Sequence, residues 1–153
     1  MKISELLHPE AISAEIKAKV KNEALGEMVD GMMRVQSGLD REEVVKVLLE
    51  REKLGSTGIG DGVAIPHGKL KGLKDIFISF GRSRSGVEFD SMDGNPVNLI
   101  FLLVAPEESV GVHLKTLARI SKLLKNASVR RRLCEASDNR ELYDIIVEEE
   151  AKL

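Results

Sequence analysis

Between residues 21 and 35 apolar side chains recur at three- and four-residue intervals, at Leu25, Met28, Val29 and Met32, which predicts a helix. Ser37, Gly38 and Leu39 break it. A second helix is expected from Asp40, where Asp40 and Glu43 have the spacing of a capping box. Its apolar face is Val44, Val47, Leu48 and Leu54, and Gly55 ends it. The period then falls to two: residues 75–80 alternate, with Ile76, Ile78 and Phe80 on one face and Phe77 on the other, the pattern of a half-buried strand. Residues 69–74 and 83–86 read as turns. Residues 97–104 are apolar apart from Asn98, which predicts a central strand covered on both faces and stopped by Pro106. Helical spacing returns over 110–125, with Leu114, Leu117, Ser121 and Leu124 in line, and over 128–136. Asp138 and Glu141 open a last helix through Leu142, Ile145 and Ile146. Ahead of all this, residues 3–7 suit a short helix or turn and 11–16 a short strand. Phe77, Val110 and Val112 are assigned to the core rather than to an apolar rim. The mixture predicts an α/β fold, a three-layer α/β/α domain whose mixed β-sheet is covered by helices on both faces.

Between these blocks lies a segment of another character, residues 55–70, GSTGIGDGVAIPHGKL, which holds five of the chain's thirteen glycines. Glycines let backbone amides converge without Cβ interference, which suits a loop that holds an anion. Val63, Ala64 and Ile65 read as a short buried strand. Pro66 stops the ladder and fixes the next backbone step, so His67 is expected to leave the sheet edge in a defined direction.

Composition narrows the function classes. At 153 residues, 42% hydrophobic and 31% charged, the chain suits a single domain over residues 1–153. The net charge of −2 and the absence of a basic arm give no support to nucleic-acid binding. The longest apolar stretch, 97–105, is too short for a bilayer, so no direct membrane insertion is expected. MKISELLHPE lacks the apolar centre of a signal peptide, and a cytoplasmic location is expected. A single cysteine, Cys134, excludes a disulfide framework and a thiolate metal cluster.

Few residues are candidates for chemistry. His8, beside Pro9, reads as a surface residue. His67 reads either as a core or capping histidine or as a reactive group at a strand end. His113, near a helix start, has the ordinary reading of a helix-face histidine. Zinc has little to stand on, since no His-x-His or His-Glu-x-x-His occurs. Gly55 and Gly60 have phosphate-loop spacing, but Asp61-Gly62 follows in place of Lys-Ser or Lys-Thr, and the loop precedes a strand. Nucleoside triphosphate hydrolysis is therefore set aside. Arg51 reads as a solvated helix end or as a guanidinium that grips phosphoryl oxygens bidentately. Cys134 is taken as structural, and Arg130, Arg131 and Arg132 as a solvated face.

Three segments together resemble a known family: Leu-Glu-Arg51-Glu-Lys-Leu, then Gly-Ser-Thr-Gly-Ile-Gly from Gly55, then Ala-Ile-Pro66-His67-Gly68. They are similar to enzyme IIA of the fructose/mannitol type of the bacterial phosphoenolpyruvate:sugar phosphotransferase system. Pro106, His113-Leu114 and the Val87-Glu88-Phe89-Asp90 segment leading into Pro96-Val97 also fit that pattern. The likeness is greatest to the nitrogen-regulatory branch, through Ile-Pro-His-Gly-Lys-Leu, Arg131-Arg132-Leu133 and Glu141-Leu142-Tyr143. The resemblance implies that His67 is phosphorylated by the phosphohistidine of an HPr-type carrier, that His113 contacts the phosphoryl group and that Arg51 stabilises its charge. Thr57 and the glycine loop are weaker candidates for contacts at the rim. It implies no cofactor and no metal. The partners it implies are the phosphorylated carrier and either a IIB domain, which takes the group onto cysteine, or regulatory target proteins.

Those residue types suit the reaction. Neutral imidazole offers one lone pair to phosphorus, and its ordinary pKa of about 6.5 keeps it largely neutral near pH 7. Phosphoryl transfer between two imidazoles links similar donors and acceptors. It needs positioning and stabilisation of equatorial-oxygen charge more than covalent help.

Overall fold

A computed structural model of the chain describes residues 2–153, with Val110 described by its backbone alone. In chain order the elements are α1 (Ile3–Leu6), β1 (Leu7–Ser13), α2 (Lys21–Met33), α3 (Arg41–Lys53), β2 (Gly58–Gly60), β3 (Val63–Ala64) and β4 (His67–Leu70), then β5 (Phe77–Val87), β6 (Val97–Pro106), α4 (Val110–Leu124), α5 (Ala127–Glu135) and α6 (Asn139–Glu150). The sheet runs β1-β5-β6-β3-β2, with β4 also paired to β6. β6 is antiparallel to β5 and parallel to β3 and β4, so the sheet is mixed.

The apolar run of β6 sits at the centre because both of its faces are covered. Phe101, Leu103 and Ala105 pack with α1, α4, α5 and α6, whereas Ile100, Leu102 and Val104 pack with α2 and α3. This is the expected three-layer α/β/α arrangement. The N–H groups of Asn98 and Leu99 both donate to Gly62 O, at 2.9 and 3.0 Å. Two residues thus oppose one, a bulge that shifts the alternation and puts Val97 and Leu99 on opposite faces. Ile76, Ile78 and Phe80 share the α4–α6 face, and half-buried Phe77 lies on the other.

Helix starts follow the sequence closely. Asp40 accepts from the N–H of Glu42 and Glu43 at the head of α3. Asp138 accepts from Glu141 N–H at the head of α6, and the Glu141 carboxylate reaches Ser137 N–H, one residue before the expected Asp138.

Several expectations are corrected. The supposed turn at 83–86 belongs to β5, whose pairing to β6 is irregular between Arg82 and Val87 and whose Gly86 has φ of 90°. Lys69 and Leu70 belong to β4 and not to a turn. Leu54 and Leu114 are not core residues but are 84% and 59% exposed. The buried line of α4 runs instead through His113, Thr116, Ile120, Leu123 and Leu124. Val112 is exposed, and the Val110 side chain lies outside the described residues. The arginines of α5 are not merely solvated: Arg132 pairs with Glu148 and Glu149, and Arg130 donates to the carbonyls of Leu124 and Lys125 at the end of α4. Cys134 is exposed, so it does not serve the core.

Candidate functional site

Pro66 has no N–H to give the sheet, but its carbonyl accepts from Leu103 N–H at 3.0 Å, and the ladder resumes at once with His67 opposite Leu103. The proline therefore interrupts the strand line between β3 and β4. His67 does not leave the sheet edge as expected; it begins β4. The half-buried imidazole turns back on its own strand, with Nδ1 2.8 Å from Ile65 O. A carbonyl only accepts, so Nδ1 carries the proton and the neutral ring holds its lone pair on Nε2.

The residue after it explains how a helix reaches this ring. A Cβ on Gly68 would lie 2.5 Å from Val47 Cγ1, so only glycine lets β4 run this close to α3. One turn beyond Val47, Arg51 lines the same cavity as His67. Its Nη1 donates to Gly55 O at 2.9 Å, which ties the guanidinium to the end of its own helix.

From the other face comes α4, whose first turn carries His113. Its ring meets that of His67 edge-on, with centroids 5.4 Å apart and planes at 71°. His113 is only 5% exposed, and its Nδ1 is buried without a hydrogen-bond partner among the described residues. The cavity, of about 560 Å³, is completed by Glu50, Leu54, Lys69 and Leu114. All three residues singled out in the sequence, Arg51, His67 and His113, are thus brought together. His8 is exposed. A second cleft of about 570 Å³, lined by Lys21, Lys53 and Asp90 among others, matches it in size but contains no histidine.

The electrostatics keep both rings neutral near pH 7. Burial pushes the His67 pKa down and the Arg51 charge adds to this, while the Ile65 carbonyl and the Glu52 charge oppose it. Burial, then the charges of His67 and Lys69, push the His113 pKa down to about 4. One neutral ring thus offers a lone pair, the other an N–H, and a guanidinium stands beside them. This arrangement can stabilise a group that carries negative charge over several oxygens.

Some of the site was missed in the sequence. Lys69 lines the cavity, two residues beyond His67 on the same strand, a placement that alternation along β4 would have indicated. Thr57 is not a rim residue: it is buried, and its N–H and Oγ1 both donate to the carboxylate of buried Glu52. Flanked by Arg51 and Lys53, Glu52 looks like part of a charged helix end. Its spacing of four from Leu48, itself four from Val44, was the available sign that it faces inward.

Comparison with known proteins assigns the class. The family model described as "Phosphoenolpyruvate-dependent sugar phosphotransferase system, EIIA 2" matches residues 5–149, and the chain belongs to this family of phosphocarriers. Among its relatives, the nitrogen regulatory protein of Bradyrhizobium diazoefficiens is 44% identical over 146 residues, covering 95% of each chain. The fructose-specific EIIABC component of Bacillus subtilis is 40% identical over 146 residues, which cover 95% of this chain and 23% of that one. Nitrogen regulatory protein IIA-Ntr from Neisseria meningitidis has the same fold, with a TM-score of 0.88 at 38% identity over 94% of this chain and 98% of that one. For the mannitol IIA of Escherichia coli the TM-score is 0.74 at 25% identity, over 91% and 97%. No helix among the described residues is long and apolar enough to cross a membrane.

Proposed function

We propose that His67 accepts a phosphoryl group on Nε2 from the phosphohistidine of an HPr-type carrier. The observation that carries this reading is the bond from His67 Nδ1 to Ile65 O, which leaves Nε2 as the one basic nitrogen of a ring set at the cavity. In the reaction the Nε2–P bond forms as the donor's N–P bond breaks, and the electron pair of the broken bond returns to the donor ring, which leaves as neutral imidazole because its other nitrogen carries a proton. Nδ1 keeps its proton throughout. The ring gains positive character as the bond to phosphorus forms, and the Ile65 carbonyl dipole stabilises it. His113 donates an N–H to a phosphoryl oxygen, and Arg51 supplies charge to the others. Lys69 adds a further positive charge at the cavity wall.

The phosphorylated protein then acts as a nitrogen-regulatory IIA component, its charge state selecting partner proteins. Supporting this is the grouping of similarities: 44% identity to a nitrogen regulatory protein and a TM-score of 0.88 to IIA-Ntr, against 0.74 to a mannitol IIA. The 40% identity to a fructose-specific component favours a second reading, in which the group passes to a IIB cysteine. Incubation of the phosphorylated protein with a panel of fructose- and mannitol-type IIB domains separates the two. Regulation predicts retention of the group, and rapid discharge to one IIB domain would establish the transport reading.

A further inference from the structure

Behind the cavity, the buried carboxylate of Glu52 is the hub of a chain of polar contacts that ends at the His67 ring. Lys21, the first residue of α2, places its ammonium 3.1 Å from Glu52 Oε1, with the two side chains 12% and 4% exposed. Glu52 Oε1 accepts Thr57 N–H at 3.1 Å, and Oε2 accepts the Thr57 hydroxyl. Thr57 O accepts Ile65 N–H at 3.0 Å, and Ile65 O is the acceptor for His67 Nδ1. Neither Glu52 nor Thr57 is among the residues lining the cavity of His67.

We infer that Glu52, acting through Thr57, is a positioning residue: it holds Ile65 so that its carbonyl fixes the His67 tautomer with Nε2 free to attack. The inference rests on the proposed role of His67. Ile65 is followed by proline, so the peptide that presents its carbonyl has no N–H of its own to anchor it. Its orientation therefore depends on the Ile65 N–H contact, and that contact depends on where Thr57 is held. A loop as rich in glycine as 55–62 has many backbone conformations, and the carboxylate selects one by taking two donors from a single residue. The Lys21 ammonium, itself 5.2 Å from the centre of the Phe89 ring, pairs with the buried carboxylate and holds it in place.

The test uses Glu52→Gln and Thr57→Val, with Thr57→Ser as the conservative control, in the full chain. Nitrogen NMR of the imidazole rings reports the His67 tautomer without any phosphorylation step. Wild-type protein should show Nδ1 protonated and Nε2 bare, and Thr57→Ser should keep that pattern. Glu52→Gln and Thr57→Val should show a mixture of tautomers, and transfer from the phosphorylated carrier should slow by about 10- to 100-fold, mainly in kcat. Backbone amide spectra check that each variant is folded. If Glu52→Gln does not fold, Thr57→Val, which replaces the side chain with one of equal shape, decides the matter. A wild-type tautomer in the folded variants would overturn the inference, and so would an undiminished rate. Failure of the His67 reading looks different, because His67→Ala protein would then still be phosphorylated whatever the tautomer.

Discussion

His113 meets His67 edge-on at 5.4 Å, although the two are far apart in sequence, one at the start of β4 and the other in the first turn of α4. The buried Nδ1 of His113 has no partner among the described residues, so desolvation of that ring is not offset within the protein. The ring itself lines the cavity, where a phosphoryl oxygen would meet it. Replacing His113 with Ala should slow phosphoryl transfer by about 100- to 1000-fold, the range for loss of one positioned donor. Rapid-quench measurement of transfer from the phosphorylated carrier, with circular dichroism to check the fold, gives the comparison. An unchanged rate would remove His113 from the mechanism.

The depressed pKa of His113 also fixes a pH dependence of stability. An imidazole with a folded-state pKa of about 4 and an unfolded value of about 6.5 binds fewer protons when folded throughout that interval. Its contribution is present in full above pH 6.5 and is lost progressively as the pH falls towards 4. His67 has the same sign, since burial lowers its pKa too. Urea unfolding at pH 7 and pH 5 should show a smaller acid-induced loss in His113→Gln than in wild type. Parallel losses in the two proteins would contradict the assignment.

Gly68 makes a packing prediction. A methyl group there would meet Val47 Cγ1 at 2.5 Å, and a β-branched side chain in a helix has little freedom to yield. Gly68→Ala should destabilise the fold by about 1–3 kcal/mol and push α3, with Arg51, away from His67. Chemical denaturation and the transfer rate should therefore both respond. A variant that lost neither stability nor rate would show that α3 and β4 can part without consequence.

Leu54 and Leu114 line the cavity but remain largely exposed, one at the end of α3 and the other beside His113. Exposed leucines beside the proposed acceptor ring suit contact with a carrier protein. Replacing both with Ser should raise KM for the phosphorylated carrier while changing stability by less than about 0.5 kcal/mol per site. Titration of the transfer rate against carrier concentration separates KM from kcat; a fall in kcat alone would argue against docking.

The parts of the structure legible in the sequence were those where one period dominated. The β6 run has no competing pattern, and Asp40 and Asp138 announce their helices through side-chain chemistry local in sequence. The second half of β5 was not legible, because Arg82 and Ser83 are polar yet buried. Arg82 is accommodated by the carbonyls of Ala14, Leu133 and Ala136, partners between 51 and 68 residues away that no local window contains. Leucine fits the helical stripe as well as histidine does, so spacing alone puts Leu114 in line with Leu117; the structure gives that line to His113 and turns Leu114 outward. At the site, His67 stood out through its glycine and proline surroundings. Glu52 did not, since a glutamate between Arg51 and Lys53 resembles an ordinary exposed helix end until its buried partners are known.

His67 is the proposed phosphoryl acceptor. Incubation with phosphoenolpyruvate, enzyme I and an HPr-type carrier, followed by intact mass measurement, tests it directly. The wild-type chain should gain one acid-labile phosphoryl group, and the His67→Ala chain should gain none. A His67→Ala protein phosphorylated to the wild-type level would contradict that role.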